Sequence, residues 1–131
     1  CSDRNGIRMA IGDGNRAFAE EMAQRLARVF GHAPILYQQR ETAGELKLVN
    51  RVAALVWQHV FGFAGAESHT KRIPDLVFNV SDELRLAFLR GYLLGDGTAS
   101  SGRLSFATAS YDLARGTIEM YTLFGVVASL T

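Results

Sequence analysis

A single carboxylate, Asp96, stands at the end of an apolar segment that small residues interrupt, "RLAFLRGYLLGDGT" (residues 85–98). Ala87, Gly91 and Gly95 recur every four residues, so on a helix they form one smooth stripe that a second helix can approach closely. Glycine inside a helix and an acid at its negative end each lower helix stability by up to about 1 kcal/mol. A segment that breaks two local rules at once is a candidate functional site.

The chemistry open to Asp96 depends on what meets it at the end of the helix. If the partner helix is alike, two carboxylates lie together, and they repel each other unless a cation joins them. Mg²⁺ suits oxygen ligands, and two acids that share divalent metals over a phosphodiester are arranged for metal-assisted phosphoryl hydrolysis. The alternative is a buried packing segment between helices whose terminal aspartate faces water.

Local patterns predict the elements that must position this segment. Strands are predicted over 6–14, over 33–52 as two strands joined at "TAG", over 102–110, and from 126 onwards. Helices are predicted over 15–31, 52–62, 81–96 and 110–125, with Asn15, Ser81 and Ser110 as N-caps and Gly31 just past the end of the first helix. Residues 71–80 are predicted to be extended because Pro74 disfavours helix before it.

The same patterns indicate which faces are buried. Leu46 and Leu48 alternate with polar neighbours, so they are predicted to share the buried face of a strand. The helix over 52–62 is predicted to be buried. The first helix is predicted to bury Phe18, Met22, Leu26, Val29 and Phe30, and the helix over 81–96 to bury Leu86, Leu89, Leu93 and Leu94.

The order strand, small-residue turn, helix, "FG", strand occurs twice, which indicates an internal repeat. The copies are "GIRMAIGDGNRAF…RVFGHAPIL" and "GRLSFATASYDLA…TLFGVVASL". We therefore expect two parts: residues 1–70 as the second part of a first repeat, and residues 71–131 as a linker block and the first part of a second repeat with the motif helix. The counterpart of the helix over 82–96 would lie before Cys1. The predicted fold class is α/β, with helices and antiparallel strands mixed (α+β).

Composition limits the function classes. The sequence has 131 residues, of which 48% are hydrophobic, and its net charge is +1. It is therefore not a polycation, and any nucleic-acid binding must come from a local patch. One cysteine allows no internal disulfide, and no apolar run approaches the ~20 residues of a membrane span, so we expect an intracellular location, in the cytoplasm or nucleoid, and no membrane partner.

Three blocks of the sequence resemble one family. "LRGYLLGDG" (89–97) resembles the LAGLIDADG motif of homing endonucleases, and it matches at Leu89, Gly91, Leu93, Gly95, Asp96 and Gly97. "KRIP" (71–74) resembles the Lys-x-x-Pro block of two-repeat, intein-type members. "LSFATASYDLARGTIEMYTLFGVVASL" resembles the strand–helix–strand that follows each motif. The resemblance covers most of residues 6–131.

The resemblance implies a fold, a partner and an activity. The fold would be LAGLIDADG homing-endonuclease-like, with antiparallel saddle sheets packed on helices and the saddle in the major groove of double-stranded DNA. Asp96 would bind a catalytic Mg²⁺ (or Mn²⁺), and Lys71 would assist at the scissile phosphate. The enzyme would make a double-strand break in a long DNA site. The second motif helix and its acid would come from a part of the protein outside this sequence or from another subunit.

Five strand residues are candidates for DNA contact: Arg8, Gln38, Arg40, Lys47 and Arg103. Arginine and glutamine suit the edges of guanine and adenine, and lysine mostly suits phosphate. The alternative is that they lie on the solvated faces of ordinary strands. Arg72 and Arg90 are surface charges that could also flank the phosphate path.

Three other functions stay open at this point. The chain could be a DNA-binding module without catalysis, or a remnant whose nuclease activity has decayed. It could also be a structural or small-molecule-binding α/β domain. Binding to DNA would weaken steeply with salt, which separates the DNA-binding functions from the last one.

Overall fold

The computed structural model describes residues 2–3, 5–12, 15–40, 43–63 and 67–130, with the side chains of all of these except 2–3, 36–40 and 43. The chain forms two compact units that divide after residue 65. The first unit contains β1 (Ser2–Asp3), β2 (Gly6–Gly12), α1 (Arg16–Phe30), β3 (Ile35–Arg40), β4 (Ala43–Val49), α2 (Arg51–Leu55) and a π-helical turn (Val56–Val60). The second contains α3 (Asp75–Phe78), α4 (Asp82–Asp96), β5 (Gly97–Ser100), β6 (Arg103–Phe106) and α5 (Tyr111–Leu123).

The first unit is built on a four-stranded antiparallel sheet in the order β1-β2-β4-β3. Leu46 and Leu48 are fully buried on one face of β4, as the alternation predicts. In the register of β2 and β4 they pair with Met9 and Ile7, which belong to the same hydrophobic cluster. The cluster consists of Ile7, Ile11, Ala19, Leu26, Leu46, Leu48 and Ala53, with Met9, Met22, Ala23, Phe30 and Trp57 packed against it.

Helix α1 covers this sheet and ends where the sequence predicts. Gly31 adopts a left-handed conformation (φ 72°) and its N–H donates to the carbonyl of Ala27, a common helix C-terminus. The prediction that Val29 is buried is wrong, since it is 71% exposed. At 100° per residue Val29 lies about 80° around the helix from the buried Ala19, at the edge of the packed face.

Helix α2 begins at a capping residue that the sequence analysis did not identify. Oδ1 of Asn50 accepts a hydrogen bond from the N–H of Ala53 (3.0 Å), and Nδ2 of Asn50 donates to the carbonyl of Phe30 (3.4 Å). The prediction of a buried helix over 52–62 holds only for Ala53 and Ala54. Trp57 packs against the cluster, but three other apolar residues of this segment are exposed: Val52, Leu55 and Val60.

The second unit places α4 directly before a β-hairpin and then α5. Strands β5 and β6 pair antiparallel, and the two residues between them, Ser101 and Gly102, have φ of 50° and 77°. Two central residues with positive φ characterise the type I′ turn, which fits the twist of a hairpin. The sequence analysis did not predict β5, and β6 is shorter than the strand predicted over 102–110.

The core of the second unit consists of Ile73, Val77, Leu89, Leu113 and Met120, with Phe78, Phe88, Tyr92, Tyr121 and Phe124 packed around it. Leu89 is buried in this core as predicted. Leu86 and Leu94 are not, because 51% and 52% of their surface is exposed. Helix α4 therefore exposes large apolar side chains in the described part of the chain.

Several other local predictions need correction. Residues 71–74 form neither helix nor strand, but Asp75–Phe78 forms a helical turn, because proline restricts the residue before it and favours helix after it. The predicted strand from 126 onwards is wrong for the described residues 126–130, which have no regular structure. Asn15 and Ser81 occupy N-cap positions, but no described backbone N–H donates to either side chain. Of the helices in the described ranges, none is both long and apolar enough to cross a membrane.

Candidate functional site

Asp96 is the last residue of α4 and is exposed. The helix closes there when the N–H of Gly97 donates to the carbonyl of Leu93. A Cβ atom on Gly97 would lie 2.6 Å from Cδ1 of Leu93 and 2.8 Å from Cε1 of Phe106. Gly97 has an extended backbone (φ −101°), so glycine is required here for space and not for a left-handed conformation. The "DG" pair therefore brings the hairpin close against the end of α4 while the carboxylate faces outwards.

The small-residue stripe on α4 is open. A Cβ atom on Gly91 or on Gly95 would have no heavy atom within 4 Å among the residues that the structure describes, apart from its chain neighbours and its own helix backbone. Ala87 is exposed as well. The prediction that these three residues can receive a closely packed helix stays a prediction, and nothing in the described part of the second unit accounts for the stripe.

Tyr92 anchors α4 one turn before Asp96. Its ring stacks on that of Phe106 with centroids 4.8 Å apart and planes 12° apart, and the Phe106 ring packs in turn against that of Tyr121 on α5, with centroids 5.8 Å apart. Burial raises the pKa of Tyr92 above its ordinary value of 10.0, the hydrogen bond to Thr117 opposes that rise, and the charge of Asp96 adds to it. Burial also raises the pKa of Tyr121. These contacts hold the end of α4 against β6 and α5.

Lys71 is exposed, but the backbone around it is fixed by a hydrogen bond to its carbonyl and by the packing of Ile73. Oγ of Ser110 donates a 2.5 Å hydrogen bond to the carbonyl of Lys71, and the same oxygen accepts the N–H of Leu113 as the N-cap of α5. Two residues further on, the buried Ile73 packs on α5, where its side chain would lie 3.5 Å from a Cβ atom on Gly116. The "KRIP" block is thus fixed through its backbone and Ile73 while the lysine is left in water.

The sequence of the motif helix, the hairpin and the following helix matches the model of a known family. Residues 83–131, which contain nearly all of α4, the hairpin and α5, match the family described as "LAGLIDADG-like domain". Over these residues the chain is similar to LAGLIDADG-like domains. The mixed α/β fold with two small antiparallel sheets agrees with that assignment, so the predicted family and fold class are confirmed.

The similarity of the chain to known proteins extends beyond residues 83–131. The chain is 26% identical to an uncharacterized protein of Methanocaldococcus jannaschii over 97% of its own length, but over 15% of that protein. It is 29% identical to a DNA polymerase of Thermococcus kodakarensis over 83% of its length, and 25% identical to a replication factor C small subunit of Methanocaldococcus jannaschii over 71%. The matches cover 6% and 5% of those two proteins, so the chain spans only a small part of these relatives.

Two of the five candidate DNA contacts lie side by side in the first unit. Arg8 on β2 and Lys47 on β4 are directly opposite in the register. Glu45, two residues from Lys47 along β4, forms an ion pair with Arg8 (Nε to Oε1 3.6 Å). Arg8 and Lys47 line a shallow cleft of about 190 Å³ together with Asn5, Gly6, Ile7 and Val49. The structure thus brings two cations together at one end of the sheet.

The other three candidates are placed differently. Gln38 and Arg40 lie on β3, where they pair with Gly44 and Ala43 and the register shifts between them, but their side chains are outside the described part. Arg103 is exposed next to the hairpin turn of the LAGLIDADG-like domain and pairs with Ser100. Of the surface charges, Arg72 forms a long ion pair with Asp75 (3.9 Å).

The sequence analysis missed the polar contacts that hold the site together. Ser110 is correctly predicted as an N-cap, but its bond to Lys71 joins residues 39 positions apart, a distance at which local patterns carry no signal. Within the described ranges no group of three His, Cys, Asp or Glu residues could hold a metal ion, so Asp96 offers one ligand and not a complete metal site.

Proposed function

We propose that this chain is part of a site-specific DNA endonuclease, encoded within an intein, that makes metal-dependent double-strand breaks. One observation carries the proposal: in a LAGLIDADG-like domain, an open stripe of small residues leads along α4 to an exposed carboxylate, Asp96. Such a face accepts a second helix of the same kind. The partner helix would then bring a second acid beside Asp96.

The donor chemistry of Asp96 suits Mg²⁺ or Mn²⁺, which prefer oxygen ligands. An exposed carboxylate at the negative end of a helix gains stability from a cation, since the helix dipole and the acid have the same sign there. When bound, the metal would stabilise the charge that develops on a phosphodiester. The remaining ligands must come from outside the described residues.

The protein residues would have separate tasks. Asp96 would hold the metal at the end of α4, where Gly97 and Tyr92 fix the helix terminus. The ammonium group of Lys71 would face the scissile phosphate and offset its charge. Arg8 and Lys47 would bind the DNA backbone on the first unit, and Arg103 would contact DNA from the hairpin of the second.

The distribution of the relatives supports the intein assignment. The chain resembles short segments of proteins whose names describe different activities, a DNA polymerase and a replication factor subunit. A segment that covers 5–6% of each of these proteins is expected of an inserted element, which moves between host genes independently of their function. The "KRIP" block before α4 points to the same class.

The test has two stages. Sequencing the source gene on both sides of this segment should reveal a second helix of the form "LxGxxxxDG" and, further out, splicing blocks. The full protein is then purified and incubated with linear DNA that carries the host gene with the inserted element removed. We expect a double-strand break that requires Mg²⁺, is abolished in Asp96→Asn, and is unaffected in Asp82→Asn at the other end of α4.

Cleavage that persists in Asp96→Asn would refute the role of Asp96. Salt-sensitive DNA binding without cleavage by the wild-type protein would favour a DNA-binding module or an inactive remnant. If the wild-type protein neither binds nor cleaves DNA, the remaining explanation is a structural or small-molecule-binding domain.

A further inference from the structure

We propose that Ser110 is a positioning residue, which fixes the backbone of Lys71 to α5 and so sets the place of the lysine relative to Asp96. The inference deepens the proposed function and rests on it, because it gives Lys71 a task at the phosphate. It starts from a contact that local sequence patterns do not predict, the 2.5 Å hydrogen bond from Oγ of Ser110 to the carbonyl of Lys71.

The hydroxyl of Ser110 uses both of its hydrogen-bonding capacities. It donates to Lys71 and accepts from the N–H of Leu113 at 3.2 Å, and the N–H of Ser110 donates to Oγ1 of Thr108 at 3.0 Å. Ser110 is 1% exposed, so water cannot replace these partners easily. A side chain that is saturated and buried in this way holds its partner in one place.

The same helix holds the other end of the proposed site. The ring of Tyr92, one turn before Asp96 on α4, stacks on that of Phe106, and the Phe106 ring centroid lies 5.8 Å from that of Tyr121 on α5. Tyr121 follows Ser110 by eleven residues, which span about 16 Å of helix. Helix α5 therefore acts as a rigid reference: Ser110 ties the segment of Lys71 to its beginning, and ring packing ties the helix of Asp96 to its C-terminal half.

The side chain of Lys71 itself is exposed, and its ordered backbone is what limits where the ammonium group can reach. Without the bond to Ser110 the residue would still be present but displaced. Displacement of a reacting or charge-stabilising group by about 1 Å can reduce a rate by up to about a hundredfold. The DNA-binding strands of the first unit would be untouched, so the loss should fall on the chemical step.

The experiment compares Ser110→Ala, Ser110→Thr and Asn50→Ala in the full protein. Threonine keeps the hydroxyl. Asn50→Ala is a matched control, because Asn50 also caps one helix and also donates to a distant backbone carbonyl, that of Phe30, but has no tie to Lys71. Three quantities are measured: the single-turnover cleavage rate with Mg²⁺, the DNA affinity with Ca²⁺, and hydrogen–deuterium exchange by mass spectrometry in peptides over residues 69–78.

We expect Ser110→Ala to cleave about tenfold to a hundredfold more slowly, with DNA affinity within about twofold of wild type. Its exchange should be faster over 69–78. Ser110→Thr should restore both the rate and the slow exchange, and Asn50→Ala should leave both as in wild type. Melting temperatures of all variants verify that each is folded at the assay temperature.

The proposal would be overturned if Ser110→Ala cleaved DNA at the wild-type rate. It would also be overturned if Asn50→Ala slowed cleavage as much as Ser110→Ala does. Faster exchange over 69–78 without a slower rate would overturn it too, since the backbone would then move without consequence. If the wild-type protein does not cut DNA, the proposed function fails and the role of Ser110 in cleavage fails with it. The exchange data would then still decide separately whether Ser110 holds the Lys71 segment.

Discussion

A Cβ atom on Gly97 would lie 2.8 Å from Cε1 of Phe106, so the residue after Asp96 cannot carry a side chain unless Phe106 and Leu93 are displaced. The glycine of the "DG" pair is therefore a packing requirement within the second unit. Gly91 and Gly95, in the same motif, have open space beside them. The glycines of this short segment thus have two roles. Gly97 allows close packing inside the second unit, and Gly91 and Gly95 leave room for a helix from outside it.

Gly97→Ala should lower the free energy of unfolding of the second unit by about 1–3 kcal/mol, because the added methyl group overlaps Leu93 and Phe106. Urea denaturation of the 131-residue chain, followed by far-UV circular dichroism, measures this. Gly95→Ala is the control. It should leave stability unchanged or raise it by up to about 1 kcal/mol, because alanine favours helix and meets nothing there. Equal losses in both variants would contradict this assignment.

Gly91→Leu should leave the 131-residue chain folded but should abolish cleavage by the full protein, since leucine would hold a second helix away from α4. Circular dichroism and the cleavage assay described above give the two readouts. Asp82→Leu is the control, because it places the same side chain at an exposed position of α4 about 180° around the helix from Gly91, and it should cleave normally. Full activity in Gly91→Leu would mean that no helix packs on this stripe.

The chain should lose stability above pH 10. The pKa values of Tyr92 and Tyr121 are raised in the folded state, so the unfolded chain releases these protons first. Their contribution is fully present below pH 10 and is lost as pH rises through the raised pKa values. Urea denaturation at a series of pH values measures the loss, which should be smaller in Tyr92→Phe than in wild type.

Asp96→Asn should lower the pKa of Tyr92, because the negative charge of Asp96 contributes to raising it. Phenolate absorbance during alkaline titration records the shift. Asp82→Asn, at the start of α4, should leave the titration unchanged. An unchanged titration in Asp96→Asn would mean that the carboxylate points away from the tyrosine hydroxyl.

Arg8→Ala and Lys47→Ala should each make DNA binding less dependent on salt. Each phosphate contact removed lowers the slope of log affinity against log salt by about 1. Fluorescence anisotropy of the full protein with labelled duplex DNA at several salt concentrations measures the slopes. Arg16→Ala is the control, since Arg16 lies on α1 and pairs with Glu20. A slope that stays the same in both strand variants would exclude these residues from the DNA interface.

Elements governed by local patterns were predictable from the sequence. The alternation of Leu46 and Leu48 correctly predicted the buried face of β4. Gly31 correctly predicted the end of α1, and Ser110 the start of α5. Each depends on residues within about one helical turn or one strand. The family was also recognisable from a short segment, because the residues of "LRGYLLGDG" resemble the LAGLIDADG motif itself.

Features that depend on distant residues were not predictable in this way. The leucine pattern of α4 predicts that Leu86 and Leu94 are buried, and only the structure reveals that both are exposed in the described chain. The bond from Ser110 to Lys71 links two segments whose approach is set by the packing of Ile73 on α5. Strand β5 was missed because it follows α4 without an intervening loop, and Ser101–Gly102 is a less distinctive turn pair than Asn-Gly.

The hairpin of β5 and β6 has one more consequence. Within the described part of the chain these strands pair only with each other, so each has an outer edge of backbone N–H and C=O groups without ladder partners. A two-stranded sheet is marginally stable alone, and such edges readily accept further strands. Strand addition there would extend the sheet, and preparations of this segment alone should self-associate more as concentration rises.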